Sequence, residues 1–578
     1  MGNKNQKGLY RGLTNYGDSG FSRYLRRSFA SSMGYSREEL DRPIIGIADS
    51  GSGFNSCHRH FPELIEAVTR GVLSAGALPI VFPTISLSEP FIYPTTMMFR
   101  NLMSMDVEEM IRAQPMDAVV LVGGCDKTVP AQLMGAISAE RPAIHLVAGP
   151  MLTGNYQGER LGACTDCRRH WSDYRGGIHT AKAIEEIEGR LVTTAGTCAV
   201  MGTASTMACI LEALGMLVPG SSSIPAVHSD RLRAAEVTGR LAVQLALSGL
   251  TPKSIINENS LHNALCVLLA IGGSTNALIH LNAIAGRLGY QIDANYLNEL
   301  AQKTPVLVNL KPSGTEYMED FHAAGGLPAV LRKIRGLLYE DCLTVTGRTL
   351  GEEIDASPDY SNPKVIKDLD NPIHKTGGLA TLFGSLAPNG ALIKYSAAAP
   401  ELLEHTGKAV VFDSLEDMAN RIDSPELDVS PEDVLVLRNA GPKAAGMPES
   451  GYIPIPEKLA RKGVRDMVRI SDARMSGTAY GTVVLHVSPE ASVGGPLALV
   501  QDGDLIKLSV SEYRIDLLVD EKELAQRKEN IKAKLPRDTS KRGYTWLYEQ
   551  YVMQAEAGCD FEFLTQNRTA NCEGNKFT

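Results

Sequence analysis

Continuous runs of apolar residues that end in glycine-rich turns are the main feature of the first half of the chain. Asp117–Pro130 contains the run A-V-V-L-V, followed by two glycines and then by Cys125, Asp126 and Lys127. A strand buried on both faces is a continuous hydrophobic run rather than an alternating one. The stretch therefore predicts a buried parallel strand with a thiol, a carboxylate and an amine beyond its carboxyl end, where open α/β sheets bind their ligands.

Three further apolar runs alternate with segments in which apolar residues recur at helical spacing. The runs are Arg42–Ser50, Leu78–Phe82 and Pro142–Ala148, and helical spacing follows in Phe61–Ala75 and Thr95–Met110. Such alternation is typical of a parallel sheet with helices on both faces. We therefore expect an α/β fold class whose N-terminal domain is a doubly wound parallel sheet. Further helices are predicted at about Thr203–Leu214, Asp230–Leu247 and Ser260–Leu269.

The pattern changes after a segment rich in Asp, Pro and Ser between Leu350 and Asn371, which we interpret as a linker. Short strand-like runs separated by Gly, Pro and Asp turns follow it. These runs are Leu379–Leu386, Ala391–Tyr395, Ala409–Asp413, Val434–Asn439, Val464–Ile470, Thr482–His486, Leu505–Ser509 and Ile515–Val519. Their number and shortness favour a β-rich, barrel-like second domain. The expected domains are residues 1–370 and 371–578.

Length, composition and charge exclude several classes of protein. A chain of 578 residues exceeds the size of one hydrophobic core, and its 44% hydrophobic and 21% charged fractions are ordinary for a globular protein. No apolar stretch reaches the roughly 20 residues of a membrane span, and the polar N-terminus lacks a secretory signal, so we expect a cytoplasmic protein. A net charge of -9 without long basic runs argues against nucleic acid and favours a small-molecule partner.

Three of the ten cysteines share one sequence context. Cys57, Cys125 and Cys198 each follow small or glycine residues and precede the start of a predicted helix. Helix N-termini are electropositive and favour thiolates, which bind metals. Three thiolates suit an iron–sulfur cluster with one iron left open, but the spacing matches no compact ferredoxin run. Spacing alone therefore leaves buried free thiols as the alternative.

A rival motif is the C-x-x-C formed by Cys164 and Cys167, a spacing that suggests zinc or redox chemistry. No second cysteine pair or histidine pair follows at zinc-finger spacing. We also expect the segment to lie away from any strand-to-helix turn. The two residues are therefore interpreted as ordinary loop cysteines.

Carboxylates at turns are the candidates for binding a hard cation. Glu89, Asp126 and Glu449 each follow a predicted strand or a glycine-rich turn, where their oxygens could converge on Mg²⁺. Each alone is also consistent with a turn residue or a helix cap. The stretch Arg469–Thr482 reads as strand, Ser-Gly-Thr turn and strand, which predicts a hairpin, and Ser476 lacks the surroundings of an acyl-transfer nucleophile.

Seven motifs, taken together and in order, resemble the dihydroxyacid and sugar-acid dehydratase family. They are P-I-I-G-I-A-D-S…C-H-R-H, G-G-C-D-K-T-V-P, G-T-C…M-G-T-A-S-T-M, V-P-G-S-S-S-I-P-A, G-G-S-T-N-A, G-P-K-A-A-G-M-P-E and D-A-R-M-S-G-T-A-Y-G-T…V-S-P-E-A. The resemblance implies an N-terminal α/β domain, a C-terminal β-barrel-like, swivelling α+β domain, and a homodimer or homotetramer. It also implies an iron–sulfur cluster and Mg²⁺ at the interface between the domains.

The resemblance assigns roles to individual residues. The implied cluster ligands are Cys57, Cys125 and Cys198, with [2Fe–2S] favoured over [4Fe–4S]. The implied Mg²⁺ ligands are Glu89, Asp126, Glu449 and Lys127, and in this family the lysine can be carbamylated and so become an anionic oxygen donor. Ser476 resembles the catalytic base, and Thr478 resembles a residue that contacts substrate.

The implied reaction removes water from a 2,3-dihydroxy acid and gives a 2-keto-3-deoxy acid. The motif D-A-R-M-S-G-T-A-Y-G-T resembles the branch acting on sugar acids, such as arabinonate, xylonate or gluconate, more than the G-R-F-S-G form common in amino-acid synthesis. A dihydroxyacid dehydratase of branched-chain amino-acid synthesis is the alternative within the family. A non-catalytic iron–sulfur sensor or binding protein is the alternative of another class.

Overall fold

The structure is a computed structural model that describes residues 7–13, 16–532, 541–565 and 576–577. Its strands are β1 Ile44–Asp49, β2 Leu78–Pro83, β3 Ala118–Gly123, β4 Ala143–Val147, β5 Gly154–Tyr156, β6 Glu159–Leu161, β7 Gln291–Ile292, β8 Ala380–Leu382, β9 Gly390–Ile393, β10 Glu404–Phe412, β11 Val434–Leu437, β12 Arg469–Ser471, β13 Val483–Ser488, β14 Leu505–Ser509, β15 Arg514–Leu517 and β16 Lys576–Phe577.

The first ten helices of the described chain are α1 Ser19–Ser32, α2 Phe61–Ser74, α3 Thr96–Ala113, α4 Thr128–Ala139, α5 Thr165–Arg175, α6 Ala181–Leu191, α7 Thr203–Ala213, α8 Ser229–Ser248, α9 Pro252–Ile255 and α10 Glu258–Ala270. The others are α11 Asn276–Leu288, α12 Ala294–Lys303, α13 Met318–Ala323, α14 Gly326–Lys333, α15 Leu350–Ala356, α16 Leu415–Arg421, α17 Pro442–Ala445, α18 Glu457–Ala460, α19 Glu521–Lys532 and α20 Gly543–Tyr551. Within the described ranges, none of these helices combines the length and apolarity needed to cross a membrane.

The first sheet is parallel throughout, with strand order β2-β1-β3-β4. Successive side chains of a strand point to opposite faces, so a strand needs apolar residues at every position when both faces are covered. Val120 and Val122 of β3 face a core formed with α2, α7 and α8. Val119 and Leu121 face a second core formed with α3 and α4. The predicted doubly wound parallel sheet is therefore confirmed.

The strand order places the sequence-predicted ligands at one point of this sheet. β2 lies on one side of β1, and β3 and β4 lie on the other side. The direction in which strands are added therefore reverses between β1 and β3, and this place is the switch point of the sheet. Cys57 follows β1, and Cys125 follows β3. Ligands of open α/β sheets bind at such a switch point, beyond the carboxyl ends of the strands.

The second sheet has the order β15-β14-β10-β11-β12-β13-β9-β8 and mixes parallel and antiparallel pairs. Its edges meet next to β8, where the Phe383 N–H donates to the Tyr513 carbonyl at 2.8 Å and the Ile515 N–H donates to the Phe383 carbonyl at 2.9 Å. These bonds nearly close the sheet around an apolar core. Each of the strand-like runs predicted after residue 379 contains or overlaps a strand of this sheet, so the barrel-like prediction is confirmed.

Of two local expectations, the linker stays a prediction and the hairpin is wrong. The predicted linker begins with a helix, α15, in which Thr349 and Glu352 form a capping box: the Thr349 N–H donates to Glu352 Oε2 at 2.8 Å. The predicted hairpin at Arg469–Thr482 does not form, because β12 and β13 pair in parallel. Its Ser-Gly-Thr turn is therefore part of a crossover connection. The domain boundary at residue 370 lies in irregular chain and stays a prediction.

The end of the described chain returns to the helices of the first half. The guanidinium of Arg287 on α11 lies 2.5 Å from the Asp560 carboxylate, and both side chains are fully buried. Arg100 Nη2 on α3 donates to the carbonyls of Gly558 at 2.8 Å and Cys559 at 2.9 Å. These bonds fasten the segment after the barrel to the helices that cover the first sheet.

Candidate active site

The three cysteines predicted as cluster ligands lie close together. Cys57 and Cys125 follow neighbouring strands, and a hydrogen bond with Cys57, together with burial, raises the pKa of Cys125 well above its usual value. The chain before Cys198 runs beside the end of β4, and the Met151 N–H donates to the Thr197 carbonyl at 2.8 Å. A hydrogen bond with Cys164, burial, and the nearby Cys57 and Cys125 thiols raise the pKa of Cys198. These thiols fit a sulfur-bound metal centre.

His58 positions the turn that carries Cys125. Its Nε2 accepts the Cys125 N–H at 3.0 Å, and its Nδ1 lies 2.8 Å from the Ser50 carbonyl. Burial lowers the pKa of His58 to about 4, so the ring is neutral and carries its proton on Nδ1. A Cβ at Gly124 would lie 2.3 Å from Ala148 Cβ, so only glycine allows the turn to approach β4 this closely.

Cys164 is a fourth thiol at this place, and sequence reasoning misjudged its surroundings. Its Sγ lies 3.5 Å from Cys198 Sγ, and Cys167 Sγ donates to the Cys164 carbonyl at 2.7 Å. Cys164 follows β6 and caps α5, so the expectation that the C-x-x-C lies away from a strand-to-helix turn is wrong. The small residues before Cys164 and the helix after it are the signal that had identified Cys57, Cys125 and Cys198.

The predicted oxygen donors form a second group beside the thiols. Cys125 Sγ is 3.9 Å from Asp126 Oδ1, and Asp126 Oδ2 is 2.5 Å from Lys127 Nζ. Burial raises the pKa of Glu449, and the nearby Glu89 and Asp126 carboxylates raise it further. These three half-buried carboxylates are near enough to one another to affect the pKa of Glu449, and oxygen donors of this kind suit a hard divalent cation such as Mg²⁺. The Lys127 ammonium is not itself an oxygen donor.

Arg474 joins two of these carboxylates and was not singled out from the sequence. Its Nη2 lies 2.9 Å from Glu89 Oε1, and its Nη1 donates to Glu449 Oε1 at 2.6 Å, with the guanidinium fully buried. Burial alone would raise the pKa of Glu89, but Arg474 and Lys127 hold it at about 2. Thr95 Oγ1 also donates to Glu89 Oε1 at 2.8 Å and fixes its orientation.

The turn of Ser476 and Thr478 docks onto the N-terminal end of α7. The two hydroxyl oxygens are 2.9 Å apart. A Cβ at Gly477 would lie 2.7 Å from the Thr203 backbone nitrogen, so the turn requires glycine there. Asn276 Nδ2 donates to the Met475 carbonyl at 2.9 Å and ties the turn to α11. The turn therefore contacts the helix that begins a few residues after Cys198.

Comparison with known proteins decides the family. The dihydroxy-acid/6-phosphogluconate dehydratase family matches the chain in two parts, with its N-terminal region on residues 42–353 and its C-terminal region on residues 364–559. The chain belongs to this family. The two matched regions include every residue of the candidate active site described in this subsection.

Similar dehydratases are named for different substrates. The chain is 45% identical to the 6-deoxy-6-sulfo-D-gluconate dehydratase of Pseudomonas putida over 547 residues, and this alignment covers 94% of each chain. It is 44% identical over 564 residues to the L-arabinonate dehydratase of Rhizobium leguminosarum bv. trifolii, covering 97% of this chain and 96% of the relative. The dihydroxy-acid dehydratase of Carboxydothermus hydrogenoformans is 40% identical over 552 residues, covering 94% of this chain and 98% of the relative.

Replacing Arg474 by methionine keeps a long side chain but removes the charge that two buried carboxylates share. We expect Arg474→Met to lower the free energy of unfolding of this dehydratase, free of metal, by roughly 3 kcal/mol or more, because uncompensated buried charge remains. Added Mg²⁺ should recover more stability in the variant than in the wild type, because the cation replaces the lost charge. Thermal unfolding with and without Mg²⁺ measures both effects.

The matched control is Arg70→Met. Arg70 pairs with Glu236 at 3.3 Å on the surface, and an exposed pair of this kind contributes about 1 kcal/mol or less. Equal unfolding midpoints for the two variants would contradict the role given to Arg474.

Proposed function

We propose that this dehydratase removes water from a sugar acid, an aldonate such as arabinonate, xylonate or gluconate, and releases a 2-keto-3-deoxy acid. The observation that carries the proposal is the contact between two kinds of metal donor: the thiol of Cys125 lies 3.9 Å from the carboxylate of the next residue, Asp126. Relatives named for sugar acids are 44–45% identical to this chain, against 40% for the dihydroxy-acid dehydratase of Carboxydothermus hydrogenoformans.

The proposed cofactors follow from the two donor groups. Cys57, Cys125 and Cys198 would hold an iron–sulfur cluster, [2Fe–2S] rather than [4Fe–4S], and Glu89, Asp126 and Glu449 would hold Mg²⁺. Carbamylation would turn the Lys127 amine into an oxygen donor and complete that set. When bound, the two centres would supply Lewis acids for the carboxylate and hydroxyl groups of the substrate.

Ser476 is the proposed base that removes the proton from C2 of the substrate. A free serine hydroxyl is a weak base, so it needs positive charge close to its oxygen. Arg474, whose guanidinium is buried, precedes Ser476 by two residues in the sequence. Lys127 is a second cation, and both charges act on Glu89. Thr478 Oγ1, at 2.9 Å, orients the Ser476 hydroxyl and is the proposed contact to the substrate.

The remaining proposals concern the location, oligomeric state and partners of the enzyme and its alternative functions. We infer a cytoplasmic homodimer or homotetramer whose partner is a small molecule rather than nucleic acid or a membrane. A dihydroxyacid dehydratase of branched-chain amino-acid synthesis is the second candidate, supported by the relatives of that name. A non-catalytic iron–sulfur sensor would leave the carboxylates around Arg474 and the docked serine turn without a purpose.

A substrate panel tests the proposed function. Anaerobically reconstituted enzyme is offered aldonates of five and six carbons and a branched 2,3-dihydroxy acid, and the 2-keto-3-deoxy acid or 2-keto acid formed is measured. We expect at least one aldonate to have a kcat/KM roughly 10-fold or more above that of the branched acid, since a site built for hydroxyl groups rejects analogues lacking them. A preference for the branched acid would instead establish the second candidate.

Substitution of Ser476 tests the proposed base. Ser476→Ala should fold and keep its metals, because in the described part of the chain the hydroxyl hydrogen-bonds with Thr478 and with no other residue. Turnover should fall by roughly 10²-fold or more, as expected for a lost proton-transfer group. Exchange of the C2 hydrogen with solvent deuterium should be lost in parallel. A serine with only a structural role would cost about 1 kcal/mol of stability and leave turnover intact.

Ser511→Ala, in an exposed turn after β14, is the control for the S476A experiment and should behave as wild type. Metal content, melting temperature and turnover are measured on the same preparations. Near-native turnover of S476A with intact metals would show that the base lies elsewhere.

A further inference from the structure

A cavity of about 450 Å³ lies beside the candidate active site, between α5, α6 and the chain after Glu449. Its lining includes Arg168, Tyr452, Trp171 and Ile187. Tyr452 belongs to the short turn that begins at Glu449, so the cavity adjoins the proposed Mg²⁺ ligands. The cavity therefore offers room next to the place where the reacting end of a substrate would bind.

Arg168 stands at the boundary between this cavity and the oxygen donors. Its Nη2 is 3.9 Å from Glu449 Oε2, which is close enough for charge attraction but too long for a hydrogen bond. Its guanidinium lies over the Tyr452 ring, 5.1 Å from the ring centre. Its Nε is buried and has no hydrogen-bond partner in the described part of the chain.

The lack of hydrogen bonds at Arg168 sets it apart from the other arginine of this cavity. Arg175, also on α5, donates Nη1 to the Ile455 carbonyl at 2.8 Å and pairs with Asp423 through Nη2. Buried donors are almost always hydrogen-bonded in a native protein, because an unpaired one has lost its hydrogen bonds to water without a replacement. The buried Nε of Arg168, which has no partner among the described residues, therefore indicates a group that the protein itself does not supply.

We propose that Arg168 is a specificity-determining residue that binds the hydroxyl-bearing part of the substrate beyond C3. This inference rests on the proposed function. With the carboxylate and the C2 and C3 hydroxyls at the metal donors, the rest of an aldonate extends away from them, and Arg168 separates those donors from the open cavity. The planar guanidinium presents several donors in a fixed fork, which suits neighbouring oxygens.

The same side chain weakens the binding of branched aliphatic acids. Such a substrate brings methyl groups to the position of the sugar hydroxyls, so it displaces water from Arg168 without replacing the lost hydrogen bonds. A site whose polar groups are left unpaired rejects the analogue far more strongly than an apolar pocket rejects an added group. Arg168 thus selects sugar acids in two ways: it binds their hydroxyl groups, and its own donors stay unpaired when a branched acid is bound.

The test uses Arg168→Met and Arg168→Lys, with Arg169→Met as the control, because Arg169 lies on the same helix but outside the lining of the cavity and pairs with Glu159 at the surface. We expect R168M to raise KM for the preferred aldonate roughly 10- to 100-fold with a smaller change in kcat, because the proposed contact is with a part of the substrate that does not react. KM for a branched 2,3-dihydroxy acid should stay unchanged or fall. R168K should lie between the wild type and R168M, and R169M should match the wild type.

Calorimetric binding of the same aldonate in an S476A background gives a readout that does not depend on turnover. There, adding R168M should weaken binding by the factor by which KM rises, with iron content and melting temperature unchanged. Equal loss for both substrates, or no loss at all, overturns the role of Arg168 while leaving the proposed function intact. A wild-type enzyme inactive on every aldonate overturns both.

Discussion

The buried guanidinium of Arg474 is the interaction on which the rest of the site depends. It holds Glu89, which lies in the turn after β2 of the first sheet, at 2.9 Å, and Glu449, which lies in the barrel-like half, at 2.6 Å. Without a cation between them, two carboxylates in a buried place repel each other and resist ionisation. Arg474 therefore keeps both halves of the molecule in one arrangement, and its charge lowers the pKa of both carboxyls, holding that of Glu89 at about 2. The two carboxylates are therefore already positioned before a metal ion would bind to them.

Close approach between backbone segments is the second constraint, and it sets the positions of the turns that carry the candidate site residues. The switch point of the first sheet brings the turns after β1 and β3 together, and glycine at 124 lets the second turn press against β4. Glycine at 477 likewise lets the serine turn reach the N-terminal end of α7, where a Cβ would collide with the Thr203 backbone. Side chains from distant parts of the sequence can therefore meet in one place, held there by closely packed backbone.

The outline of the fold could be predicted because burial on both faces leaves continuous apolar runs and short barrel strands leave repeated turns. The cysteines at 57, 125 and 198 were found because each turn carries its own local signal. By contrast, α5 was missed because T-D-C-R-R-H-W-S-D-Y-R has no apolar stripe, and the surroundings of Cys164 were misjudged with it. The parallel pairing of β12 and β13 and the role of Arg474 depend on partners far away in the sequence, so no local pattern could show them.

The central claim is that a sulfur-bound centre and an oxygen-bound centre meet at Cys125 and Asp126. Anomalous diffraction at the iron absorption edge, from crystals grown without oxygen and with Mg²⁺, tests it most directly. The account predicts one compact iron peak bonded to Cys57, Cys125 and Cys198, with a separate light cation among Glu89, Asp126 and Glu449. Iron bound by Cys164 or Cys167 in place of one of the three cysteines, or an Asp126 carboxylate without a cation, would contradict it.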